Sequence, residues 1–155
     1  GVAEAPIEVE PAGRTFTGQR IVAGVPHFVT QVERVEWVPV AEWGSALRHH
    51  GRFGDAGANV DLVAPLGASH LAMRTYERGV ESETLACGSG AIASALWAAG
   101  QGHASPVRLL TAGGDELTVA FRAVSDGYEV SLTGPAEFAF EGEWTEATVR
   151  PPVQS

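Results

Sequence analysis

Between Cys87 and Gly100 the chain carries no charged residue. The run is rich in Ala and Leu, which are strong helix formers, and Gly100 supplies a stop. The pattern predicts a helix over residues 88–99 that is apolar on nearly every face. Such a helix cannot lie on a surface and must be wrapped by other elements. It is also too short to cross a bilayer, which takes about 20 apolar residues.

The start of this helix carries the chemistry. Cys87 is the only cysteine in the chain and is followed by Gly88, Ser89 and Gly90. The first N–H groups of a helix lack internal partners and, with the macrodipole, favour an anion. A thiol in that position is expected to have a lowered pKa and to ionise readily. Free cysteines are also often buried and inert. On residue chemistry alone both readings stand: a reactive thiol beside an anion cradle, or a structural cysteine beside a capping turn.

A chain of 155 residues reads as one domain with a core of its own. We expect an extended lead-in over residues 1–17, the domain over 18–145 and a frayed tail over 146–155. The formal net charge of −9 argues against nucleic acid or an anionic membrane as partner. A single cysteine excludes an internal disulfide and a Cys-rich metal site, and a reduced thiol fits the cytoplasm. The sequence shows no signal-peptide pattern, apolar span or internal repeat.

Strands are predicted over 20–23, 27–32, 58–63, 69–78, 107–112, 116–121, 128–132 and 137–140. In the fourth of these, Leu71, Met73 and Thr75 share one side while Ala72, Arg74 and Tyr76 share the other. A short amphipathic helix is expected over 41–50, with Trp43, Ala46 and Leu47 inward. Gly113-Gly114, Asp126-Gly127 and Gly134-Pro135 punctuate the late strands, and Asp126-Gly127 is a hairpin signal. The expected fold class is α+β. A curled mixed or antiparallel sheet, barrel-like, would wrap around the one buried apolar helix and leave few open edges.

Other features are less specific. Gly88-Ser89-Gly90-Ala91-Ile92-Ala93 matches a dinucleotide pattern by letter, but no hydrophobic strand precedes it, so nucleotide binding is rejected. None of the five histidines stands at zinc spacing with a Cys or carboxylate, so no metal site is expected. His49 and His50 read as helix-end cations. His27, after a Gly-x-Pro turn, either holds a loop carbonyl or relays a proton. Glu77-Arg78 reads equally as a solvated ion pair, and Asn59 as a turn cap.

Taken together, Gly24-Val25-Pro26-His27, Phe53-x-x-x-Gly57-x-Asn59-Val60 and Arg74-Thr75-Tyr76-Glu77-Arg78-Gly79, followed by Thr84-Leu85-Ala86-Cys87-Gly88-Ser89-Gly90, resemble the C-terminal half of diaminopimelate epimerase. Thr133-Gly134-Pro135-Ala136 is similar to that family's closing strands. The resemblance spans residues 22–141. It implies cofactor-independent inversion of LL-diaminopimelate to the meso form, on the route to lysine and peptidoglycan. It implies that Cys87 is one of two acid–base groups on opposite faces of the reacting carbon, with His27 and Glu77 beside it in the catalytic set. It further implies that Asn59, Glu77 and Arg78 bind the substrate's distal groups, and that Gly88 and Ser89 offer N–H groups to its α-carboxylate.

Three departures shape the expectation. The family's mechanism uses two cysteines, one from each half, and this chain has one. Position 25 is Val where the family often has Asn, and position 89 is Ser rather than Thr. The chain therefore reads as one half of the enzyme, inactive alone. Its expected partners are the missing N-terminal half carrying the second cysteine, the small-molecule substrate, and a second copy in a homodimer. Competing expectations are a non-catalytic or related racemase or isomerase domain of the same fold, and a cysteine acyl transferase or hydrolase using Cys87 and His27.

Overall fold

The structure, a computed structural model, describes residues 5–143. The expected tail at 146–155 lies outside the described residues. The described residues form an α+β fold of two α-helices and one nine-stranded mixed sheet. The strands are β1 (Ile7–Val9), β2 (Phe16–Ala23), β3 (Val25–Gln31), β4 (Asn59–Gly67), β5 (His70–Glu77), β6 (Ser82–Thr84), β7 (Val107–Leu110), β8 (Glu116–Val124) and β9 (Gly127–Thr133). Helix α1 (Val40–Arg48) lies between β3 and β4, and α2 (Gly88–Gly100) between β6 and β7.

The strand order is β1-β2-β3-β4-β5-β7-β8-β9, with β6 paired to β5 off this path. The order is open, with β1 and β9 at its two ends, so the sheet is not a closed barrel. Most neighbours are antiparallel, but β3–β4 and β5–β7 are parallel. Parallel neighbours need a long crossover, and α1 and α2 lie in these two connections. Two short strands, β1 and β6, go beyond the predicted set. The strand expected over 137–140 is not formed: the chain from 134 to 143 has no regular structure, and Phe138 and Phe140 are almost fully exposed.

The period-two alternation of strands sorts the core into two layers. Phe28, Val60, Leu62 and Tyr76 face α1, where they pack with Leu47, Phe53 and Val40. Val29, Val63, Leu71 and Met73 face the other way and pack with Ala91, Ala95, Leu96 and Trp97 of α2. Residues 59–64 of β4 are accordingly buried on both faces. Helix α2 is buried along most of its length and touches β2, β3, β4, β5, β7, β8 and β9. Among the described residues no helix is long and apolar enough to cross a membrane.

Helix α1 buries Val40, Gly44 and Leu47, an i, i+4, i+7 stripe. Of the residues expected to face inward, Leu47 is buried while Trp43 and Ala46 are half-buried. Gly44 is required by distance: a Cβ there would run into the Cβ and ring of Tyr76. Gly44→Ala raises helix propensity by about 1 kcal/mol, yet overpacking costs about 1–3 kcal/mol. The urea midpoint of this variant is therefore expected to fall, whereas propensity alone would raise it.

Candidate active site

The same alternation that builds the α2-facing core builds the site. His27 on β3, Asn59 and Asp61 on β4, and Thr75 and Glu77 on β5 share parity with Val29, Val63 and Met73, so all lie on the face toward α2. Cross-strand register sets His27 beside Asn59 and Asp61 opposite Thr75. Cys87 sits at the N-cap of α2 in extended conformation, with the Gly90 N–H donating to its Sγ at 3.4 Å. The Cys87 sulfur thus replaces the oxygen that usually caps a helix.

Side chains link these elements in a chain. The Thr75 hydroxyl donates to Asp61 Oδ1 (2.7 Å), and His27 Nδ1 lies 2.6 Å from Asp61 Oδ2. His27 Nε2 lies 3.1 Å from Ser89 Oγ, which lies 3.5 Å from Cys87 Sγ. The Asn59 amide bridges the rim: its Nδ2 donates to the Pro26 carbonyl and faces His27 Nε2, and its Oδ1 accepts the Arg78 N–H at 2.7 Å. His27 and Asp61 are fully buried. Gly90 permits the close approach, because a Cβ there would sit 2.5 Å from Asp61 Oδ1 and 3.1 Å from Thr75 Oγ1.

The turn that carries Glu77 and Arg78 is fastened from α1. Glu81 holds a left-handed backbone, φ 57°, an uncommon conformation for a residue with a side chain. Its carboxylate accepts from Arg48 and from the Gly79 N–H, and its carbonyl accepts from the Tyr76 hydroxyl. Arg48 also donates to the Ala56 carbonyl, so one guanidinium ties the turn after β5 to the loop before β4. Glu77 and Arg78 are half-buried, as are Gly88 and Ser89. A cleft of about 810 Å³ lies elsewhere, lined by Phe16, Trp37, Trp43 and Trp97 among others, and none of the candidate site residues lines it.

The thiol departs from the sequence expectation. Cys87 is 7% exposed, and burial pushes its pKa up rather than down. The Ser89 hydroxyl and the Gly90 N–H work against that rise, whereas the Asp61 and Glu77 carboxylates add to it. Desolvation and two nearby anions outweigh the helix terminus. The surroundings thus favour the neutral thiol over the thiolate. Its neighbours Leu85 and Ala86 are exposed, so the cover is thin on that side. Alkylation by iodoacetamide, followed against pH, is expected to have its midpoint above that of an unstructured cysteine. A midpoint below it would contradict this electrostatic account.

The family model described as diaminopimelate epimerase matches residues 20–139. The chain belongs to the diaminopimelate epimerase family. It is 46% identical over 136 residues to the diaminopimelate epimerase of Aquifex aeolicus, covering 86% of this chain and 48% of that protein. For the enzyme of Gemmatimonas aurantiaca the figures are 38% over 146 residues, 85% and 52%. A shorter stretch of 79 residues is 54% identical to the Chlamydia trachomatis enzyme, covering 51% of this chain and 29% of that protein. The chain spans about half the length of the curated relatives it matches over most of its own length.

Within this family frame, Cys87, Ser89, His27 and Asn59 converge, and the Arg78 backbone joins them. The sequence does not single out Asp61 or Thr75. The alternation Asn59-Val60-Asp61-Leu62 is the ordinary signature of a half-buried strand, whose polar residues meet water. Only the helix lying on that face makes Asp61 a buried partner of His27. Among the described residues no His, Cys, Asp and Glu side chains group as a metal site.

Proposed function

We propose that this chain supplies one half of the catalytic site of a cofactor-independent diaminopimelate epimerase, converting LL-diaminopimelate to the meso form. The observation that carries the reading is the Cys87 thiol at the N-cap of α2, linked through the Ser89 hydroxyl to the buried His27. In one direction of inversion this thiol delivers a proton to the α-carbon, while a base outside this chain removes one from the opposite face. In the reverse direction the Cys87 thiolate is the base. Gly88 and Ser89 offer N–H groups to the α-carboxylate, and the same groups stabilise charge that builds as the α-proton leaves. Glu77 and Arg78 recognise the distal ammonium and carboxylate, with Asn59 fixing the Arg78 backbone.

The same reading assigns the second acid–base group to an N-terminal half carrying another cysteine, so the chain alone does not turn over. It draws support from the single cysteine and from the chain's length relative to its relatives. It also takes the sheet as curled about α2, because β2, next to one end of the order, and β9, at the other, both touch that helix. The reduced thiol fits a cytoplasmic setting. The acyl-transfer alternative needs a ready thiolate, and the raised pKa of Cys87 disfavours it.

Calorimetry tests the substrate assignment. Diaminopimelate is expected to bind, and Arg78→Met to weaken binding roughly tenfold or more, the value of a lost charge-assisted hydrogen bond. Equal affinity in the variant would contradict the role given to Arg78.

A further inference from the structure

Asp61 and Thr75 are the buried polar groups next to the site that the proposed chemistry leaves unused. Asp61 is fully buried, yet both of its carboxylate oxygens are engaged, one by the Thr75 hydroxyl and one by the His27 ring. A carboxylate withdrawn from water is retained at considerable cost unless its partners compensate. Its position fixes the histidine. A carboxylate at Nδ1 keeps the ring proton there, so Nε2 is left as an acceptor. The far side of the ring agrees. The Asn59 amide is oriented by the Arg78 N–H at its Oδ1, so its NH2 group faces Nε2. The Ser89 hydroxyl lies 3.1 Å from the same nitrogen. The Asn59 NH2 group can only donate and the Ser89 hydroxyl is able to, so the pair suits a lone pair at Nε2.

We infer that Asp61 is a positioning residue: anchored by Thr75, it holds His27 as the Nδ1–H tautomer, so that Nε2 accepts from Ser89 and, through Ser89, is coupled to Cys87. The connection is continuous. The Cys87 thiol can donate to Ser89 Oγ while the Ser89 hydroxyl donates to Nε2. A proton leaving Cys87 then moves onto Ser89 as the Ser89 proton moves onto His27. Asp61, at the other ring nitrogen, stabilises the imidazolium that results. The Ser89 hydroxyl ends as it began, and no other reactant is required. The functional part of this inference rests on the epimerase reading; the tautomer does not.

The test separates the two. In the 155-residue chain labelled with nitrogen-15, long-range proton–nitrogen correlation reads the tautomer of each histidine, and His27→Gln assigns the signal of His27. The wild-type ring is expected as Nδ1–H with an unprotonated Nε2. Asp61→Ala is expected to shift it to Nε2–H or to a mixture, while Thr75→Val, which keeps the carboxylate, preserves Nδ1–H. An Nε2–H ring in the wild-type chain would overturn the inference even if the Asp61 variant failed to fold. So would an unchanged tautomer in a folded Asp61→Ala. In the enzyme completed by its other half, Asp61→Asn is expected to lower kcat by about 10²-fold or more with little change in KM. Unchanged kcat would sink the positioning role. The expected tautomer pattern together with no epimerisation by the completed wild-type enzyme would support the Asp61 assignment and count against the proposed function.

Discussion

Cys87→Ala, in the enzyme completed by its other half, is expected to abolish inversion of diaminopimelate, with a loss of roughly 10³-fold or more. The substitution removes the only thiol in the chain and the acceptor of the Gly90 N–H. Neither loss threatens the fold, because α2 is held by Ala91, Ala95, Leu96 and Trp97 against the sheet. Circular dichroism and the urea midpoint should therefore stay close to wild type while turnover disappears. Cys87→Ser sharpens the point. It keeps a side-chain acceptor at the helix cap, but an alcohol is a far weaker acid than a thiol, so turnover is lost all the same. Normal turnover in either variant would remove Cys87 from the mechanism.

Phe28→Ala is expected to have the largest effect on stability. Phe28 is fully buried in the layer facing α1 and its ring lies 5.1 Å from that of Phe53. Truncating such a ring costs about 3–5 kcal/mol, a large part of the 5–15 kcal/mol that typically holds a domain together. The cost falls on the strand that carries His27 on its other face. Chemical denaturation should show a midpoint far below wild type with the slope preserved. A loss below about 1 kcal/mol would mean that the α1 layer contributes little to the core.

The sequence is most informative where one pattern has one physical solution. An uncharged run from Cys87 to Gly100 must be enclosed, and α2 is buried along most of its length. Asp126-Gly127 between alternating residues gives the β8–β9 hairpin, and the alternation of residues 71–76 places Leu71, Met73 and Thr75 on the face toward α2. What the sequence conceals is what depends on contacts between distant segments. The parallel pairing of β3 with β4 and of β5 with β7 is set by the helical crossovers, not by any local signal. β1 and β6 are too short to show a period, and Ser82–Thr84 becomes a strand because β5 offers it an edge. The reverse holds at 137–140, where apolar residues alternate but no neighbouring strand pairs with them.

The site follows the same rule. His27, Asn59, Arg78 and Cys87 were legible through motifs, but the bond between His27 and Asp61 joins strands 34 positions apart, and nothing local marks it. The sign of the Cys87 shift was also beyond local reasoning. A helix N-terminus lowers a thiol pKa in isolation, whereas here burial and the carboxylates of Asp61 and Glu77 decide the direction. Those carboxylates lie on β4 and β5, and only the fold brings them to the sulfur.

The most direct measurement is solvent deuterium entering Cα of LL-diaminopimelate in D2O, with this chain alone, with an N-terminal half supplying the opposite acid–base group, and with both halves when Cys87 is Ala. The account predicts exchange and meso product in the second case only. Exchange by the Cys87→Ala mixture, or no exchange from two folded wild-type halves that associate, would contradict it.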